Sequence, residues 1–251
     1  MIRAAFLLLA ALLLGAQREP ILVPEVSQHE VALQQGFTGT DLLLYGAILD
    51  PAGTRAAGDY DIVVVLKGPT EAIRLREKQK IAGIWMNAES SEFRSAPAFY
   101  AIASNRALDR IVDERTAAIY ELGLDWLQLS PIGAIDPEEQ ARFSAGLVQM
   151  RREEGLYREL PDGVTISEQV LYQARIALPS NVTPGLYSAE TFAIRDGRVL
   201  TSASSEVDVR KVGFGRDVER FSETAGIRYG ILVIALSIVM GWLAGRLFAL
   251  V

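Results

Sequence analysis

The stretch RLREKQK, Arg74 to Lys80, places Arg74, Arg76, Lys78 and Lys80 at every second position. On a β-strand, whose side chains alternate, that spacing puts four cations on one face. Ile73, Leu75 and Ile81 then point inward. In a chain whose balance is acidic, such a ridge suits an anionic ligand or an acidic partner. It equally suits an edge strand that uses charge to avoid pairing with other chains. Trp85 and Asn87 follow in GIWMN, and Phe99-Tyr100 comes soon after. Trp85 and Tyr100 are of the types that anchor contacts. They are also of the types that fill the core of a β-sandwich.

Other chemistry is thin. The 251 residues include no cysteine and one histidine, His29. Disulfides and thiolate chemistry are excluded, and a histidine-based triad or zinc centre lacks its partners. Adjacent carboxylates occur at Asp113/Glu114, Glu138/Glu139 and Glu153/Glu154, all in helical patterns that read as solvated or capping positions. Asp59 and Asp61 share one strand face. Calcium needs six or more oxygens, and no loop of that pattern is present. GFGRDV lacks the third glycine of a dinucleotide fingerprint. No catalytic residue, cofactor or metal site is assigned. An enzyme would need carboxylates brought together by the fold.

The two ends of the chain read as membrane-directed. Arg3 followed by the apolar run Ala4 to Leu14 and the small residues Gly15-Ala16 predicts a signal peptide over residues 1–16. Residues 227–251 form a run long enough to span a bilayer. Together they predict a single-pass inner-membrane protein with its main domain (17–211) in the periplasm and its C-terminus in the cytoplasm. With the segment that leads to the span, the exported residues 17–226 hold 22 basic and 31 acidic side chains, an excess of nine negative charges. The excess argues against nucleic acid and against general adhesion to anionic lipid. Along the span and the residue before it, Gly226, Gly230, Ser237, Gly241 and Gly245 fall on one stripe about 100° wide. Small residues so aligned let helix backbones approach closely. The expected partner of this face is an integral membrane protein or a second copy. Arg246 lies near the inner headgroups, where its stem can snorkel.

The elements that must position these residues are mostly strands. DLLLYGAIL (Asp41 to Leu49) and YDIVVVLKGP (Tyr60 to Pro69) are apolar at both parities and predict central strands covered on both faces. Residues 71–87 and 99–104 are also strand-like, and strands return at 170–178, 186–194 and 199–209. Between these groups, Leu108, Ile111, Val112, Ile119 and Leu122 recur at helical spacing after cap candidates Ser104 and Asn105. DPEEQ opens a second helix with Asp136 as N-cap and Pro137 at its first position; Phe143, Leu147 and Met150 form its stripe, and Gly155 its stop. Pro184-Gly185-Leu186-Tyr187 resembles a tyrosine corner. The expectation is an immunoglobulin-like Greek-key β-sandwich with a two-helix insertion over about 105–155, plus a C-terminal transmembrane helix. Residues 212–226, with Phe214, Val218 and Phe221 at i, i+4 and i+7, read as a juxtamembrane amphipathic segment.

GFTGTDLLLYGAI, KQKIAGIWMN, APAFYAIAS, ALPSNVTPGLYSAETFAIRDGRV and GFGRDVERFSETAGIRYGI with GWLAGRLF, in this order and spacing, resemble an uncharacterised family of alphaproteobacterial single-pass transmembrane proteins. The resemblance implies a periplasmic domain with a C-terminal anchor, and by association a role beside a permease of the sulfite-exporter type. It brings no catalytic residues. The reading is a non-enzymatic accessory protein of an integral membrane partner. The alternatives are an anchored binding module for a small anion or envelope polymer, using the ridge with Trp85 or Tyr100, and an anchored hydrolase.

Overall fold

Alternating and all-apolar runs become strands in the computed structural model, which describes residues 20–34, 36–50, 59–133, 136–168, 170–212 and 225–248. The expected signal peptide and residues 213–224 of the amphipathic segment lie outside the described residues. The strands are β1 (Ile21–Val26), β2 (Glu30–Leu33), β3 (Gly39–Leu49), β4 (Asp61–Lys67), β5 (Thr70–Ile81), β6 (Ile84–Pro97), β7 (Tyr100–Ser104), β8 (Ser130–Pro131), β9 (Tyr157–Leu160), β10 (Val164–Ser167), β11 (Leu171–Pro179), β12 (Gly185–Arg195) and β13 (Arg198–Lys211). Three α-helices accompany them among the described residues: α1 (Glu114–Tyr120), α2 (Pro137–Glu153) and α3 (Gly226–Phe248).

Two sheets form a sandwich. One has the order β1-β3-β11-β10, the other β2-β13-β12-β4-β7-β9. This is the immunoglobulin arrangement. The first sheet matches strands A, B, E and D; β4, β12 and β13 take the places of C, F and G, with β7 as an added C′. Between the sheets lie Leu42, Leu44 and Ile48 of β3, Ala174 and Ile176 of β11, and Val207 and Val209 of β13. Tyr172 of β11 donates its hydroxyl to Thr191 Oγ1 of β12 at 3.3 Å in a buried bond across the sandwich. The tyrosine corner is present: Tyr187, at the start of β12, donates to Thr183 O at 2.8 Å.

The all-apolar runs diverge. β4 is buried along Asp61 to Leu66, as its sequence predicts. β3 is buried only on alternate residues, and Tyr45 and Leu49 on its other face are exposed. Nothing among the described residues covers that side. The strand-like stretch 71–87 is not one strand but the β5–β6 hairpin, paired from Thr70↔Pro97 to Ile81↔Ile84. Ala82 (φ 51°) and Gly83 (φ 88°) make the turn. Left-handed φ at both central residues is the twist-matched solution for a two-residue hairpin.

The hairpin replaces a short C–C′ connection, and its base builds a second core with α2. Phe93, Ala96, Leu129, Phe143 and Leu147 are buried together, with Ile73, Leu75 and Met150 packed against them. The α2 stripe is therefore the one its sequence spacing predicts. Its ends follow too. Asp136 accepts from Glu138 N at 3.2 Å, and Pro137 opens the helix. Gly155 (φ 73°) closes it, with its N–H on Arg152 O and Leu156 N–H on Arg151 O, a Schellman stop.

The expected two-helix insertion is otherwise not what fills residues 105–156. Leu108–Arg110 is only a 3-10 turn, and α1 starts later, capped by Asp113 rather than Ser104 or Asn105. Asn105 instead accepts from Ile62 N at 3.0 Å. Short strand β8 follows α1 and pairs with β6, giving a third sheet of order β5-β6-β8.

The chain divides into two units. The larger holds Thr38–Val209 with β1; the smaller holds Ala32–Phe37 and Arg210–Val251, which includes α3. The α3 helix has 23 residues, about 34 Å at the helical rise, against a hydrocarbon core of about 30 Å.

Candidate interaction surfaces

The β5–β6 hairpin positions the basic ridge. Arg74, Arg76, Lys78 and Lys80 are all exposed, while the residues between them are half-buried, so the four share one face. Cross-strand partners lie on the same face of a sheet. Lys80 faces Trp85 and Lys78 faces Asn87, so Trp85 joins the ridge. A register shift between Glu77 and Lys78 separates the base of the hairpin from its tip. Below the shift, the carboxylates of the two strands are paired. Arg74 Nη2 lies 3.0 Å from Glu92 Oε2. Arg142 of α2 lies 3.2 Å from Glu77 Oε2 and also pairs with Glu89. Arg76, Lys78 and Lys80 have no ion pair among the described residues. β5 is also the edge of its sheet, so keeping off other strands is a purpose the ridge fits as well.

The structure separates Tyr100 from this group. It is fully buried at the start of β7, so it is not a surface contact. Its hydroxyl donates to Glu121 O at 2.6 Å and accepts from Gly123 N at 3.1 Å, and its ring meets Tyr157 edge-on at 6.2 Å. Burial pushes the Tyr100 phenol well above its ordinary pKa. The same cause raises Tyr157, whose hydroxyl donates to Pro97 O at 2.7 Å, and Tyr187. Trp85 goes the other way: it is 66% exposed and fills no core. Ile81, expected to point inward, is 49% exposed at the hairpin end.

A second surface escapes the sequence pattern. On the outer side of the first sheet, Ile21 pairs with Leu49, and Val23 with Ala47, which also pairs with Leu171. Ile21, Val23, Tyr45, Leu49 and Leu171 are all exposed. The signal was the apolar character of β3 at both parities. It gives an apolar face without saying what covers it.

Several polar groups elsewhere are engaged. Asp61 takes two bonds from Arg106, Nε at 2.6 Å and Nη2 at 2.5 Å, and one from Asn105 at 3.3 Å. It is thus committed to a cation that its sequence spacing with Asp59 did not reveal. Asp113 is held below the usual carboxylate range by its hydrogen bonds to Thr116. His29 Nε2 makes an exposed contact of 3.0 Å with Glu25. Among the described residues no three metal-ligating side chains stand together.

On α3, a Cβ added at Gly226, Gly230, Gly241 or Gly245 would meet nothing within 4 Å. The glycines are therefore not required by packing within the described chain. Ser237 donates to Val233 O at 2.9 Å, which satisfies its hydroxyl inside the helix. Among the described residues, Tyr229–Arg246 is the one segment long and apolar enough to cross a membrane.

Among solved structures, the chain is similar to AggA, the major subunit of aggregative adherence fimbriae type I from Escherichia coli. The match is 8% identical, covers 78% of this chain and 98% of that one, and has a TM-score of 0.28. It is similar also to a C-terminal fragment of the major pilin GBS80 of Streptococcus agalactiae, at 12% identity, 77% and 56% coverage and a TM-score of 0.26. Scores this low carry no argument, and the fold assignment rests on strand order. No curated protein sequence matches the chain. Residues 21–249 match one family throughout, covering both sheets, the hairpin and the apolar helix, and the chain belongs to that family, described as Putative transmembrane protein (Alph_Pro_TM).

Proposed function

We propose that this protein is a non-enzymatic accessory protein of the inner membrane. Its immunoglobulin-like domain stands in the periplasm, α3 anchors it, and the two associate with an integral membrane partner. One observation carries the reading. The β3 sequence is that of a strand covered on both faces, yet the described chain covers only one. Ile21, Val23, Tyr45, Leu49 and Leu171 remain exposed as one apolar area with Glu25 and Gln173 at its border. Contiguous apolar surface rimmed by polar residues marks a protein contact. The small-residue stripe of α3, at whose glycines an added Cβ would meet nothing among the described residues, supplies a matching contact within the bilayer.

The test is co-purification of the tagged full chain from native membranes in mild detergent. Tyr45→Arg with Leu49→Arg places two charges on the middle strand of the apolar area without touching the sandwich core. Two lost anchor contacts of about 2 kcal/mol or more each weaken partner affinity by roughly 700-fold or more, so the partner is no longer recovered. Undiminished recovery with an unchanged melting temperature overturns the assignment of this face.

A further inference from the structure

The distal half of the β5–β6 hairpin is built unlike the rest of the domain. Every residue from Lys78 to Ala88 is exposed except Gln79, which is half-buried. It holds two lysines and no acidic residue, in a domain (17–211) with eight excess negative charges. It also holds four large apolar side chains in the open: Ile81 and Met86 at 49%, Trp85 at 66% and Ile84 at 70% exposure. The pairs Ile81↔Ile84 and Gln79↔Met86 set Ile81, Ile84 and Met86 on one face, and Lys80↔Trp85 sets the lysines and Trp85 on the other. The turn is two residues wide. A protein groove buries one face of a ribbon; here apolar groups occupy both faces at the narrow end, with cations directly behind them.

We propose that this hairpin tip is a membrane-contact element that seats in the headgroup region of an anionic bilayer. Three chemical features recognise that surface. Ile81, Ile84 and Met86 enter the acyl boundary. Trp85 lies at the interface, the level its amphipathic ring prefers. Lys78 and Lys80 meet lipid phosphates and carry their stems along the apolar residues. Unpaired backbone groups along both hairpin edges limit the depth to the interface, since they require water or headgroups. Net repulsion between the acidic domain and anionic lipid then turns the rest of the sandwich away, so the contact is confined to the tip. The separation of charge by the bulge at Glu77/Lys78 serves this: acidic residues below it are held by Arg74 and Arg142, while the lysines above it make no ion pair among the described residues.

The absence of native cysteine makes the test clean. The full chain carrying Ile84→Cys, or Ser204→Cys on an exposed strand position as control, is labelled with an environment-sensitive fluorophore. It is reconstituted in vesicles of phosphatidylcholine alone or with phosphatidylglycerol at about three parts in ten. The expected result is a blue-shifted label at position 84, quenched by spin-labelled lipid and protected from aqueous iodide, in the anionic vesicles only. Position 204 stays aqueous in both. Lys78→Gln with Lys80→Gln weakens the anionic-lipid response by roughly 30-fold, at about fivefold per cation, with the melting temperature unchanged because both side chains are exposed. Equal iodide access at 84 and 204 in the anionic vesicles overturns the proposal. So does protection at 84 that arises only when a membrane protein is co-reconstituted, which would make the tip's occupant a protein.

Discussion

Tyr100→Phe removes one oxygen and leaves the ring and its edge-on contact with Tyr157 in place. The oxygen makes two bonds, donating to Glu121 O at 2.6 Å and accepting from Gly123 N at 3.1 Å. The Gly123 bond is buried, and its N–H loses its partner outright, a cost of about 2 kcal/mol. The Glu121 carbonyl lies in a part-buried bond that water can partly replace, a cost of about 1 kcal/mol. The sum, about 3 kcal/mol, lowers the melting temperature by roughly 6–12 °C for a domain of this size. Tyr187→Phe removes a single part-buried bond to Thr183 O and costs about 1 kcal/mol, roughly 2–4 °C. Scanning calorimetry of the full chain in detergent measures both. A Tyr100→Phe melting temperature within about 2 °C of the parent would refute the reasoning. Lost partner recovery without lost stability would return Tyr100 to the role of a contact residue.

The buried tyrosines set an alkaline limit. Burial raises the pKa of Tyr100, Tyr157 and Tyr187 in the folded chain above the unfolded value near 10. The native state thus binds more protons, so this stability is complete below about pH 10 and is lost as pH rises beyond it. The urea midpoint falls between about pH 8 and pH 11, and tyrosinate absorbance rises together with unfolding; gradual ionisation near pH 10 with the fold intact contradicts this. Gly155→Ala forces a left-handed φ of 73° on a side-chain-bearing residue at the end of α2. It costs about 1 kcal/mol, read as a lower urea midpoint at unchanged slope.

What the sequence discloses depends on whether the determinant is local. Tyr187, Asp136, Pro137 and Gly155 carry their signals within four residues, and each stands in the structure as its pattern predicts. The hairpin inside 71–87 did not show, because its turn is Ala82-Gly83 instead of the asparagine–glycine pair that marks such turns. The start of α1 was misplaced because Leu108, Ile111 and Val112 keep helical spacing, while Asn105, the expected cap, is drawn off by Ile62 across the sheet. The ridge was legible from its period of two, but its partners were not. Arg142 meets Glu77 and Glu89 only through packing of α2 on the hairpin. Trp85 and Tyr100, alike as sequence candidates, separate because one sits at a turn and the other begins a central strand. β3 shows a further limit: apolar residues at both parities predict cover on both faces, and the described residues bury only alternate side chains.

The central claim is that the open face of β3 and the glycine stripe of α3 meet one integral membrane partner. Photocrosslinking tests it most directly, with benzoylphenylalanine in place of Tyr45 in one variant and of Gly241 in another, in native membranes, followed by mass spectrometry. The account predicts the same polytopic membrane protein in adducts from both positions. Adducts only with a second copy of this chain, or none at either position, would contradict it.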